Sequence, residues 1–135
     1  MTFKYRMNIL IKGSPELYLT DGVLKSYPPQ YITENPSIIS NIKEERLKNF
    51  SGIDIEESRI NAVMSHNLRS ELHKIKHQTL VVCASDDQKT PVELSEELAE
   101  NIPNTNKKIF SYGGHFTPHT QTENYNKLLI QFLKK

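Results

Sequence analysis

The stretch Thr79-Leu-Val-Val-Cys-Ala84 constrains this chain more than any other. It is β-branched and apolar with no alternation, the pattern of a strand covered on both faces of a parallel sheet. Thr90 to Pro103 then carries Leu94, Leu98 and Ile102 at a spacing of four with glutamates between them. That predicts an amphipathic helix, closed by Pro103 and Asn104. Lys107 to Tyr112 reads as a second strand centred on Ile109 and Phe110, and Thr122 to Leu133 as a last helix with Tyr125, Leu128, Leu129 and Phe132 on one face. The lysines that follow suit the negative end of its dipole. A strand-helix-strand-helix order implies a right-handed crossover and two parallel strands.

The composition changes near His77. Residues 1–77 read as helices separated by turn chemistry, and residues 78–135 as the alternating portion. Ser14 is placed to cap a helix with Pro15 at its first position and Glu16 in its first turn, and Pro28-Pro29 stops it. Asn35-Pro36 repeats the start signal. Ile38, Ile39, Ile42, Leu47 and Phe50 then form an approximate helical stripe that ends at Ser51-Gly52. A third helix opens near Asp54 and runs through Ile60, Val63, Met64 and Leu68. With 135 residues the chain fits one compact domain's worth of core. Only 36% of the residues are hydrophobic, and the mean hydropathy is −0.57, yet the apolar residues gather in blocks, as in folded proteins.

In open α/β sheets functional groups collect just beyond the carboxyl ends of the strands. The first strand runs into Ser85-Asp86-Asp87 and the second into Gly113-Gly114-His115. Neighbouring strands bring an acidic loop and a histidine loop to one edge, where a carboxylate can accept the second N–H of an imidazole. Two glycines let the chain turn sharply and present His115.

The segment LVVCASDDQKTPVELSEELAENIPNTNKKIFSYGGHF resembles the C-terminal part of the α/β-hydrolase family: apolar strand, loop acid with a proline four residues on, helix ending in Ile-Pro-Asn, second strand, and Gly-Gly-His. The likeness covers about Ile75 to Leu133. Within the family, CASDD followed by YGGH looks closest to the aminoacrylate hydrolases of pyrimidine catabolism. The resemblance implies a partial α/β-hydrolase fold, with residues 1–77 as a helical, lid-like region and 78–135 as the last two βα units. It places the family's acid on Asp87, through Asp87-Gln-Lys-Thr-Pro91, rather than on Asp86, and the family's base on His115. His115 would take a hydroxyl proton, and Asp87 would fix its tautomer and stabilise the imidazolium.

The departure is as informative as the match. The family carries its serine in Gly-x-Ser-x-Gly, before the acid and the histidine. No such motif occurs in these 135 residues. Gly13-Ser14-Pro15 lacks the flanking pattern. One reading is therefore a hydrolase portion, for esters, amides or small carbon–nitrogen compounds, that becomes competent for a small-molecule substrate when a nucleophile-bearing chain completes it. The other is a non-catalytic remnant or interaction protein. Two strands alone leave an unpaired edge, so self-association into a homodimer is expected.

Other side chains point to ordinary roles. Cys83, the single cysteine, falls mid-strand, where a thiol is inert. His73 and His77 are four apart and would share a helix face, but no third ligand is patterned near them or His66, so no metal or cofactor is expected. A loop is expected around His119, with no evident role for it. Seventeen basic against sixteen acidic residues, with no basic stripe, argue against nucleic acid. The start, MTFKYRMNILIKG, is neither a signal peptide nor a membrane span, which points to the cytoplasm.

Overall fold

The computed structural model describes residues 2–134, which fall into two compact units. The first comprises residues up to Leu24 and Ile32–Asn67 and is wholly helical; the second comprises Lys25–Tyr31 and Leu68 onward and holds the sheet. No helix among the described residues is long and apolar enough to cross a membrane.

In the first unit α1 spans Thr2–Lys12 and α2 spans Pro15–Leu24; α3, Pro29–Glu34, begins in the second unit and ends in the first. Helices α4, Pro36–Lys48, and α5, Ile53–Ser65, complete it. Ser14 caps α2 as its sequence position predicts, its Oγ accepting the Leu17 N–H at 3.1 Å. Pro29 does more than stop α2: it sits at the first position of α3, where a missing N–H costs nothing. The core of this unit is Leu10, Tyr18 and Ile60, with Phe3, Met7, Ile9, Leu19 and Phe50 packed round it.

Polar groups at that core are paired. The Tyr18 hydroxyl donates to Glu56 Oε2 at 3.0 Å, and the Arg6 guanidinium lies 4.3 Å from the centroid of the Tyr18 ring. Arg6 Nη1 also donates to Asp21 Oδ2 at 3.0 Å. Gly22 makes room for it, since a Cβ there would meet Arg6 Nη1 at 3.3 Å. Burial raises the Tyr18 phenol above its ordinary value, keeping it a neutral donor.

The third predicted helix ends earlier than Leu68. His66 leaves the helical region (φ −69°, ψ 122°) while its N–H still reaches Ala62 and Val63 carbonyls, and Leu68 opens a separate 3₁₀ turn over Arg69–Lys74. Ile75 is extended, so His73 and His77 share no helix face. Among the described residues no three His, Cys, Asp or Glu side chains gather as a metal site.

The second unit continues with β1, Thr79–Ala84, then α6, Val92–Asn101, and β2, Thr105–Phe110. A four-residue helix, α7 (Thr117–Thr120), precedes α8, Thr122–Leu133. The strands are parallel, in register from Thr79 opposite Thr105 to Ala84 opposite Phe110. Val81 and Cys83 are buried on one face of β1, while Leu80 and Val82 on the other are only half-buried. The strand is thus not yet covered on both faces by the described residues.

The second strand begins and ends two residues before the expected Lys107–Tyr112. Asn104 takes a positive φ of 58° and locks the strand's start: its carbonyl accepts the Thr79 N–H at 3.1 Å and its side chain donates to Lys76 O at 3.1 Å. Strand β1 therefore sets where pairing begins, and the polar run Thr105-Asn-Lys-Lys108 is drawn in as an exposed strand.

Leu10 is 1% exposed at the centre of the first unit's core. Leu10→Ala is expected to destabilise the chain by about 2–5 kcal/mol, the range for a buried leucine truncation, read by urea unfolding.

Candidate active site

Parallel pairing brings the carboxyl ends of β1 and β2 side by side, because Ala84 and Phe110 are the last partners of the ladder. The Ser85 N–H donates to Phe110 O at 2.8 Å, and Ser85 Oγ to Ser111 O at 3.0 Å. The loops leaving the two strands are thus tied at their first step.

Asp87 and His115 meet across this edge. Asp87 Oδ2 and His115 Nδ1 are 3.0 Å apart. An ionised carboxylate only accepts, so Nδ1 carries the proton and donates. Oδ2 also accepts the Thr90 hydroxyl at 2.8 Å, while Oδ1 accepts the Lys89 and Thr90 N–H groups at 2.8 and 3.0 Å. The acid thereby holds its own loop and the histidine together.

Burial alone would raise the Asp87 carboxyl. The Thr90 N–H, His115, the Thr90 hydroxyl and the Lys89 N–H outweigh burial and hold it below the ordinary carboxylate value. Exposure divides the pair: the Asp87 side chain is 6% exposed and that of His115 32%. The buried member is the fixed charge, and the histidine is the more exposed of the two.

Asp86, weighed in the sequence only as a lesser choice of acid, has a different task. Its Oδ2 and Oδ1 accept the N–H groups of Gly113 and Gly114 at 3.3 and 2.8 Å. Adjacent aspartates thus divide the work, Asp86 gripping the backbone before the histidine and Asp87 its ring. The doubled acid in Ser-Asp-Asp was the available signal, but its partners are main-chain groups that no sequence pattern marks.

Gly113 and Gly114 both adopt positive φ, 151° and 62°. At Gly114 a Cβ would lie 2.8 Å from Ser26 O and 2.9 Å from Pro28 Cδ. The segment around Ser26 closes on this turn, and Ser26 O accepts the Phe116 N–H at 3.2 Å. The Thr117 and Thr120 hydroxyls donate to Gly114 O and Gly113 O at 2.8 and 2.6 Å.

His119 does not sit in a plain loop. It lies on α7, its Nδ1 is 3.1 Å from the Tyr27 hydroxyl, and its ring meets those of Tyr27 and Tyr31 at 5.7 and 5.8 Å. Tyr27 also packs on Phe116, the residue after the candidate base, at 5.4 Å. This aromatic group braces the histidine turn from behind. Cys83 is buried mid-strand and takes no part.

A parallel strand pair with an acid loop and a histidine loop at its carboxyl end is a partial α/β-hydrolase fold. Comparison with known proteins agrees. The enol-lactonase from Burkholderia xenovorans superposes with a TM-score of 0.88 at 16% identity, over 98% of this chain and 50% of its own. Bromoperoxidase from Bacillus anthracis does so with a TM-score of 0.86 at 20% identity, over 99% of this chain and 49% of its own.

A family model described as "Serine hydrolase (FSH1)" matches residues 38–126. The chain belongs to that serine hydrolase family. Among curated relatives, the protein named "Putative carbamate hydrolase RutD" of Yersinia enterocolitica is 30% identical over 131 residues, 97% of this chain and 47% of the relative. The protein of the same name from Azorhizobium caulinodans is 30% identical over 130 residues, 96% of this chain and 49% of the relative. The chain spans about half the length of the curated relatives it matches.

Two outcomes follow from this geometry. Gly114→Ala forces a Cβ against backbone at a left-handed position, and is expected to cost at least about 1–3 kcal/mol in chemical denaturation. For Asp87, a folded-state value below the unfolded one means its stabilisation is present above the unfolded value and is lost as the pH falls through the folded one. Unfolding curves taken down the acid range should therefore fall less steeply in Asp87→Asn than in the natural chain.

Proposed function

We propose that this chain supplies the acid and the base of a serine hydrolase site, Asp87 and His115, to a nucleophilic serine that lies outside these 135 residues. The observation that carries the reading is the 3.0 Å contact between Asp87 Oδ2 and His115 Nδ1, which puts Nε2 on the far side of a part-exposed ring from the acid. In the completed site Nε2 takes the serine hydroxyl proton as Oγ attacks the substrate carbonyl, and Asp87 stabilises the imidazolium. The proton then passes to the leaving group, and a water repeats the sequence in reverse to free the acyl group.

The substrates we infer are esters, amides or small carbon–nitrogen compounds. Membership of a serine hydrolase family and the carbamate hydrolase and enol-lactonase names of its relatives and neighbours support that range. Residues 1–77 serve as the lid-like region in this reading.

The completing partner covers β1. That strand has a hydrogen-bonded neighbour on one side only among the described residues, and Leu80 and Val82 remain half-buried. Exposed apolar side chains on α8, Ile130 and Leu133, leave further surface to cover. Without the nucleophile-bearing partner, a second copy of this chain covers that edge as a homodimer.

Co-expression with the half of the Yersinia enterocolitica relative that this chain does not span, followed by a short-chain ester assay, tests the reading. Turnover is expected from the pair and from neither part alone, and His115→Ala should reduce it by about 10²–10⁴-fold. Turnover that survives His115→Ala contradicts the assignment. No turnover from the pair, with both parts folded, favours a remnant that keeps the fold for stability or binding.

A further inference from the structure

The carboxylate of Asp87 is saturated, three of its donors coming from its own loop and the fourth from His115. A carboxylate offers about four lone-pair sites, and here four donors occupy them. Two main-chain N–H groups, of Lys89 and Thr90, fill Oδ1. Oδ2 receives the Thr90 hydroxyl at 2.8 Å and faces His115 Nδ1 at 3.0 Å. The same hydroxyl oxygen lies 3.2 Å from His115 Nδ1. The Thr90 side chain thus lies within hydrogen-bond distance of both members of the pair.

We propose that Thr90 is a positioning residue for the Asp87–His115 pair, its hydroxyl fixing which carboxylate oxygen faces the imidazole and adding a second acceptor on the side of the ring where the carboxylate holds the Nδ1 proton. The inference rests on the reading of Asp87 and His115 as acid and base. Its physical basis is the direction of the hydroxyl proton. Given to Oδ2, that proton leaves the Thr90 oxygen as a second acceptor for Nδ1–H, so the ring N–H is shared between two acceptors on one side. Given to Nδ1, it would need an unprotonated Nδ1, whose lone pair would stand 3.0 Å from a charged oxygen. In the neutral ring the carboxylate charge excludes that arrangement, so the single ring proton sits on Nδ1.

The main chain of Thr90 already holds Oδ1, so valine at this position would keep the loop bond and the shape while removing only the hydroxyl. That separates positioning from packing. Other charged groups near the pair are left in place: Asp86 on Gly113 and Gly114, Lys89 with its Nζ 5.6 Å from the Phe116 ring centroid, and His119 on Tyr27.

The test titrates the Asp87 carboxyl by carbon-13 NMR and follows the His115 Nδ1–H proton signal, in the 135-residue chain and its variants. In T90V the Asp87 value should rise, because a donor to the charged form is lost, and the Nδ1–H signal should exchange faster with water. T90S keeps the hydroxyl and should restore both. A T90V chain that is less stable yet leaves both signals unmoved makes the hydroxyl a packing group and overturns the proposal, as does a T90S chain that titrates like T90V. If T90V does not fold by circular dichroism, T90A carries the same expectation. These readouts need no substrate, so they stand or fall separately from the ester assay.

Discussion

The in-register parallel pairing of β1 with β2 is the constraint on which the candidate site depends. Six residue pairs, from Thr79 and Thr105 to Ala84 and Phe110, end the two strands at the same level. The candidate site starts one step later. A slip of the register would move the histidine turn along the acid loop by a residue's rise of about 3.3 Å, more than a hydrogen bond tolerates. The start of the ladder is fixed by Asn104, whose carbonyl and side chain grip Thr79 and Lys76. Register at one end of the strands thus sets the geometry of the candidate site at the other.

Beyond the ladder, the two loops are held by charge rather than by apolar packing. Asp86 grips the Gly113 and Gly114 backbone, Asp87 grips the ring of His115, and main-chain N–H groups of its own loop hold Asp87. Charge-assisted bonds are the stronger kind, and they are directional. They hold His115 through Nδ1, which puts Nε2 on the far side of the ring from the acid. Ser26, Tyr27 and Pro28 close the other side of the turn, contacting Gly114 and Phe116. The site portion is therefore braced without any group from a completing partner.

Much of this is legible in the amino-acid sequence. The uninterrupted apolar run gave β1 with both its ends, and the Tyr125, Leu128, Leu129 and Phe132 stripe gave α8 with both of its own. Asp87 and His115 were marked because each follows a strand and sits at a spacing shared with a known family. The second strand was misplaced because its first four residues are polar: they pair because β1 is there to pair with, a cause outside their own sequence. The stretch 2–12 does not read as a helix from its sequence, since Phe3, Tyr5, Met7 and Ile9 alternate with polar residues and its packing partner Ile60 lies far along the chain. Asp86, Thr90 and Tyr27 were invisible as supports, because their partners are main-chain atoms or side chains brought near only by the fold.

The central claim is that a proton-handling pair is already built within this chain, with the tautomer a serine nucleophile requires. Nitrogen-15 NMR of His115 in its neutral form tests it most directly. A proton resident on Nδ1, with Nε2 unprotonated, is the predicted result. A ring protonated on Nε2, or one exchanging between the two forms as a free imidazole does, would contradict the account.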